Sequence, residues 1–240
     1  MSPLISAHRG SCGVPGLPAA ERYDRAIALG VDYVELDVRR TADGLFVNYH
    51  DDLTPSRRKT SSLTYADLKA ELGAEVLTIA ELLDVVAGRA GLHVDLKEPG
   101  DEGDIVRMLL ADKCGARFVV TTGDVESIRA VKELFPGVQA GLTLGTDMKD
   151  AHAWATMTER WAELFPGARL KRSCADFVAA HQQLARLRLL GYCKRKRMPA
   201  WVWTVDETKE IARFMADPRV TTLITNRPDV ALELRRVRTA

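Results

Sequence analysis

Five short stretches of this chain carry side chains able to hold a cation, grip an anion or move a proton: His8-Arg9, Glu35-Leu36-Asp37, His50-Asp51, Asp95-Leu96-Lys97 and Trp203. Glu35 and Asp37 lie two residues apart inside the apolar run YVELDV. On a strand that spacing puts both on one face and Val34, Leu36 and Val38 on the other. Two carboxylates on one face repel each other unless a cation or a proton is shared between them. Asp95 supplies a third oxygen donor, and a set without cysteine favours Mg²⁺, Mn²⁺ or Ca²⁺ over Zn²⁺. The competing reading pairs Glu35 and Asp37 with Arg39, Arg40 or Lys97 as plain ion pairs. A buried double carboxylate needs more than one such partner.

Three carboxylates around one dication leave a negative site that repels phosphate, and Arg9 and Lys97 can reverse that sign. An arginine fork fits phosphate oxygens bidentately. His8 and His50 titrate near neutral pH. Cleaving a phosphodiester at an alkyl oxygen needs an acid for the departing alkoxide and a base for the attacking oxygen. Two histidines beside a carboxylate cluster fit that division of labour better than a structural role.

Strand-like runs that would position these groups are predicted at residues 4–8, 33–38, 45–50, 92–97, 117–122, 138–144, 174–179, 200–205 and 221–225. Helical patterns are predicted between most of them, at residues 19–29, 78–88, 104–112, 124–135, 149–165, 177–190 and 208–216. Strand-helix alternation over the whole length predicts parallel βαβ units. The 45–50 run follows 33–38 across a TADG turn too short for a parallel crossover. It should therefore hairpin back, leaving eight strands for a (β/α)₈ TIM barrel, α/β in class and a single domain over residues 1–240. The alternative is an open doubly wound sheet, but no G-x-G-x-x-G opens any helix.

In a barrel the chemistry gathers at the C-terminal strand ends, where the residues named above fall. Trp203 is nearest the mouth and reads as a substrate wall; Trp201 and His93 lie deeper and read as core. The basic run Lys194 to Arg197 reads as a solvated loop, and His152 and His181 as surface residues on helices. A net charge of +1, from 34 basic and 33 acidic residues, gives no bias toward nucleic acid. No run approaches the length of a membrane span. Four scattered cysteines, with no C-x-x-C and no secretory signal pattern, predict reduced thiols and a cytoplasmic protein. The sequence sets no oligomeric state.

The order of these motifs resembles the glycerophosphodiester phosphodiesterase family. His8-Arg9-Gly10, Glu35-Leu36-Asp37-Val38, Thr41-Ala42-Asp43-Gly44 and His50-Asp51 are followed by a leucine-glutamate segment (residues 79–83), an E-x-K-like Asp95-Leu96-Lys97 and a W-T-V at residues 203–205. A closing T-D-x-P stands as Thr225-Asn226-Arg227-Pro228. The resemblance implies a barrel hydrolase of small glycerophosphodiesters with one divalent cation. It implies His8 and His50 as catalytic, Glu35, Asp37 and Asp95 as metal ligands, and Arg9 and Lys97 as phosphate holders. Two departures are an aspartate, one methylene shorter, at position 95 and an asparagine at 226; the usual Glu-Asn-Thr after H-R-G is also missing. The short Asp95 arm favours Mg²⁺ or Mn²⁺, with Ca²⁺ possible. Rival readings are a phospholipase D-like lyase releasing a cyclic phosphate, or a catalytically silent phosphate-binding barrel.

Overall fold

The computed structural model describes residues 2–111, 115, 117–145 and 166–239. Strands are numbered in chain order: β1 (Leu4–Ala7), β2 (Tyr33–Arg40), β3 (Phe46–Asn48), β4 (Leu77–Thr78), β5 (Gly91–Leu96), β6 (Phe118–Thr122), β7 (Gln139–Leu144), β8 (Phe177–His181), β9 (Ala200–Trp203) and β10 (Thr222–Thr225). Strands β1, β2 and β5 to β10 pair in parallel, and β1 bonds both β10 and β2, so the ring closes. That is the (β/α)₈ barrel the alternation predicts. β3 runs antiparallel to β2, with Asn48 opposite Val38, and β4 adds to β3, so the hairpin also stands.

Alternation along the strands sorts side chains between two cores. Val34, Leu36 and Val38 join the large outer cluster under the helices. Tyr33, Val119, Phe177, Ala179, Trp201 and Ile224 form a separate inner cluster that plugs the barrel. Trp201 stacks on Phe177 with ring centroids 4.6 Å apart. Gly141 leaves the room Phe177 needs, since a Cβ there would meet its ring at 2.2 Å. The inner cluster is an apolar floor beneath the polar strand ends.

Several boundaries differ from the sequence reading. β1 ends at Ala7, and His8–Gly10 curl into a 3₁₀ turn with Arg9 left-handed at φ 50°, ψ 37°. The 45–50 strand shortens to β3, and His50 lies beyond it. The 174–179 strand shifts to β8, which takes residues read as helix; the helix starts at Gln182 and runs through a π-turn (Ala185–Leu189) to Lys196. His181 therefore ends a strand, edge-on to Trp203, instead of lying on a helix. Helices Tyr65–Leu72 and Pro228–Thr239 had no counterpart in the sequence reading. The helical pattern at 149–165, His152 and Cys114 lie outside the described residues. Lys194 to Arg197 are exposed, as read, but form the last turn and C-cap of the helix Leu190–Lys196 instead of a loop.

Gly10 makes the turn after β1 possible. Its φ is +64°, and a Cβ there would meet the fully buried Tyr23 ring at 2.6 Å. Gly10→Ala should therefore destabilise the protein by about 2 kcal/mol or more, from left-handed strain plus overpacking. Urea denaturation checks this.

Candidate active site

All eight residues singled out by the sequence line one cavity of about 410 Å³ at the C-terminal strand ends: His8, Arg9, Glu35, Asp37, His50, Asp95, Lys97 and Trp203. Register explains the convergence. Asp37 and Asp95 are paired neighbours on β2 and β5, one rung above Glu35 and His93. The turn after β1 folds Arg9 over β2, where its backbone N–H donates to Glu35 Oε2 at 2.7 Å.

A small polar frame holds the β2 carboxylates from behind. Tyr23, on the helix Ala19–Leu29, donates its hydroxyl to the Glu35 carbonyl at 2.8 Å. Asn48 of β3 accepts from the Asp37 N–H at 3.0 Å and donates to the Tyr23 hydroxyl at 3.1 Å. The hairpin thus fixes β2 at the point where both carboxylates turn inward. Arg39 caps the loop after β3 by donating to the His50 carbonyl while pairing with Glu98. Arg40 pairs with Asp101, so neither arginine neutralises Glu35 or Asp37.

Lys97 does part of that work. Its Nζ donates to Asp95 Oδ2 at 2.6 Å and lies 2.9 Å from Asp37 Oδ1. Despite that proximity, Asp37 Oδ1 is a buried acceptor without an aligned donor. Arg9 Nε lies 3.2 Å from Asp37 Oδ2 and is likewise a buried donor without an aligned acceptor. The charges match here while the hydrogen-bond geometry stays open. Burial would raise the Asp37 titration, but Lys97 and Arg9 outweigh it and hold the carboxyl at about 2. Glu35 goes the other way: burial, reinforced by the Asp37 charge, pushes its carboxyl well above the ordinary range. Lys97 is held charged by Asp95 and Asp37 against its own burial.

The histidines are fixed through their Nδ1 atoms. His8 Nδ1 lies 2.9 Å from Asn226 Oδ1, and His50 Nδ1 lies 2.6 Å from Asp51 Oδ1. Burial and the neighbouring Arg9 charge lower the His8 titration, the Asn226 contact only partly opposing them. His93 is a buried core residue, as read from the sequence: burial drops it to about 4, and it bridges Ser6 and Thr121. Thr121 in turn donates to Asp95 Oδ1 at 2.6 Å. Sequence reasoning missed Thr121, Asn48 and Asp206. Thr121 had a visible signal, because it shares an inward face with Val119 in the strand after Asp95.

No group of three or more His, Cys, Asp or Glu side chains able to hold a metal is assembled among the described residues, and Lys97 stands between Asp37 and Asp95. The donor chemistry nevertheless fits a hard dication: three carboxylates line the cavity, and the positive charge now between Asp37 and Asp95 is the Lys97 ammonium.

A barrel with this rim is an enzyme of the phosphoric diester hydrolase class. The chain belongs to the glycerophosphoryl diester phosphodiesterase family, whose pattern matches residues 8–230. A glycerophosphodiester phosphodiesterase of Caldanaerobacter subterraneus subsp. tengcongensis is 24% identical over 255 residues, covering 98% of each chain. A glycerophosphodiester phosphodiesterase structure from Parabacteroides distasonis superposes with a TM-score of 0.80 at 21% identity, over 100% of this chain and 99% of that one. An Oleispira antarctica phosphodiesterase, solved with its product sn-glycerol-3-phosphate, matches with a TM-score of 0.74 at 17% identity over 100% and 98%.

Removing the Lys97 charge leaves Asp37 buried with too little compensation. Lys97→Met should destabilise the chelated protein by roughly 3–5 kcal/mol at pH 7, the cost of breaking a buried pair. Asp37, held at about 2 against an ordinary 3.8, contributes stability that is full above 3.8 and fades as pH falls toward 2. The deficit of the variant should therefore shrink as pH falls from about 4 toward 2, which denaturant titrations at each pH can follow.

Proposed function

We propose that this protein hydrolyses small glycerophosphodiesters to glycerol 3-phosphate and an alcohol, with His8 and His50 as the acid-base pair. The observation that carries the reading is one cavity that gathers three carboxylates, Glu35, Asp37 and Asp95, two cations, Arg9 and Lys97, and both histidines, His8 and His50. Asp37 and Asp95 are ion-paired with Arg9 and Lys97, and a metal ion that took over those carboxylates would free both cations for a phosphate. Family membership and the product-bound relative support the same substrate class.

Glu35, Asp37 and Asp95 would hold the divalent cation, which when bound draws negative charge off the phosphoryl oxygens. The shorter arm of Asp95 favours Mg²⁺ or Mn²⁺ over Ca²⁺. Arg9 and Lys97 bind the remaining phosphate oxygens, and Trp203 walls the cavity where the alcohol departs. His8 is neutral near pH 7 because burial and Arg9 lower its titration, so it takes the proton from the attacking oxygen. His50 gives its proton to the leaving alkoxide. One P–O bond forms, the P–O bond to the alcohol breaks, and the net consumption is one water. The free thiols of Cys12, Cys174 and Cys193 support a reducing, cytoplasmic setting, and the chain is read as one domain acting on a small-molecule partner. No helix among the described residues is long and apolar enough to cross a membrane.

His8→Ala and His50→Ala should each lose roughly 10²–10⁴-fold in kcat while remaining folded, the range expected for removing a general acid or base. A panel of glycerophosphodiesters and lysophospholipids, with and without chelator and followed by phosphorus NMR, reads the products. Glycerol 3-phosphate plus free alcohol, abolished by chelator, is the expected result. A cyclic phosphate would mark a lyase, and no turnover a binding barrel.

A further inference from the structure

We propose that Asp206 and Asn226 are a positioning pair that fixes His8 as its Nδ1–H tautomer, the carboxylate acting on the ring through the amide between them. The proposal rests on the reading of His8 as a catalytic base.

Every polar group of Asn226 is engaged. Its backbone N–H donates to Asp206 Oδ1 and its Nδ2 to Asp206 Oδ2, each at 2.8 Å. Its carbonyl accepts from the Ser11 hydroxyl at 2.8 Å, and its Oδ1 lies 2.9 Å from His8 Nδ1. Asp206 is itself held by the Thr225 hydroxyl at 3.2 Å, across the junction where Val205 N–H bonds the Ile224 carbonyl.

These contacts permit one arrangement of protons. A carboxylate only accepts, so the amide edge facing Asp206 must be the NH₂. The edge facing His8 is then the carbonyl oxygen, which also only accepts. His8 Nδ1 must therefore carry the proton, leaving the Nε2 lone pair as the ring's free acceptor. The orientation of Asn226 is dictated two atoms away from the ring, by a residue that does not touch it. An aspartate at 226 would fix the same tautomer but place a full charge against the imidazole. The amide transmits direction while keeping that charge one residue back, which suits a ring that works as the neutral base.

The sequence difference between the pair makes the test symmetric. In Asp206→Asn the group behind Asn226 can donate or accept, so the amide is free to turn over and both His8 tautomers become available. Nitrogen-15 NMR of the imidazole should then show a mixture in place of Nδ1–H alone. kcat should fall roughly 10–100-fold, the cost typical of losing a partner that orients a histidine, with KM changed by no more than about twofold. The double exchange Asp206→Asn with Asn226→Asp returns an acceptor-only group to His8 Nδ1 and should restore both the single tautomer and most of kcat.

An Asp206→Asn protein whose His8 stays wholly Nδ1–H, or whose kcat is unchanged, overturns the proposal. So does a double variant with the wild-type melting temperature that recovers neither property. If the double variant does not fold, the tautomer ratio of the single variant decides. Failure of the underlying reading shows elsewhere: a fully active His8→Ala removes His8 from catalysis, whatever the tautomers in Asp206→Asn.

Discussion

Two carboxylates two residues apart on one buried strand set the terms for everything around them. Glu35 and Asp37 are almost fully buried, and the barrel interior beneath them is an apolar plug. Charge in such a place must be matched by other charge or relieved by protonation. The protein uses both routes, and neither completes the job. Asp37 stays ionised between Arg9 and Lys97, while Glu35 is driven toward its protonated form. The ion pairs that result line the cavity, where Arg9, Lys97 and the three carboxylates meet.

The supporting structure is arranged around that constraint. The left-handed Arg9 and the glycine after it turn the chain back over β2, so one short turn delivers His8, the Arg9 side chain and the Arg9 N–H. Tyr23 and Asn48 satisfy the backbone behind the two carboxylates, tying the first helix and the hairpin to the same strand. On the opposite side Thr121 holds Asp95 Oδ1 and Asn226 holds His8 Nδ1.

Much of this was legible from the residues. The alternation of YVELDV declares an inward carboxylate pair because period 2 leaves no other assignment. The TADG turn declares the hairpin because no crossover fits. Less legible were strand ends and weak helices. Residues 177–179 fell in both a strand and a helix reading, and Ala180 and His181 read as helix because the alanines continue smoothly into an arginine-leucine helical pattern; sheet pairing with β7 and β9 overrode that preference. Tyr65–Leu72 buries one full side chain, Leu68, so its apolar period was faint, although its Thr64–Asp67 capping box was there to be read. Asn226 was visible as a departure from the family pattern. Its meaning was not, because Asp206 lies twenty residues away and only the β9–β10 junction brings them together. The misaligned contacts of Lys97 and Arg9 have no sequence signature at all; angle and distance are properties of the folded site.

The central claim is that Asp37 and the two cations paired with it, Arg9 and Lys97, take up a cation and a phosphate jointly. Manganese binding followed by electron paramagnetic resonance, with and without sn-glycerol 3-phosphate, tests it most directly. One Mn²⁺ per chain should bind, more tightly when the phosphate is present, and both effects should vanish in Asp37→Asn. Mn²⁺ affinity unaffected by the phosphate, or undiminished in Asp37→Asn, would contradict it.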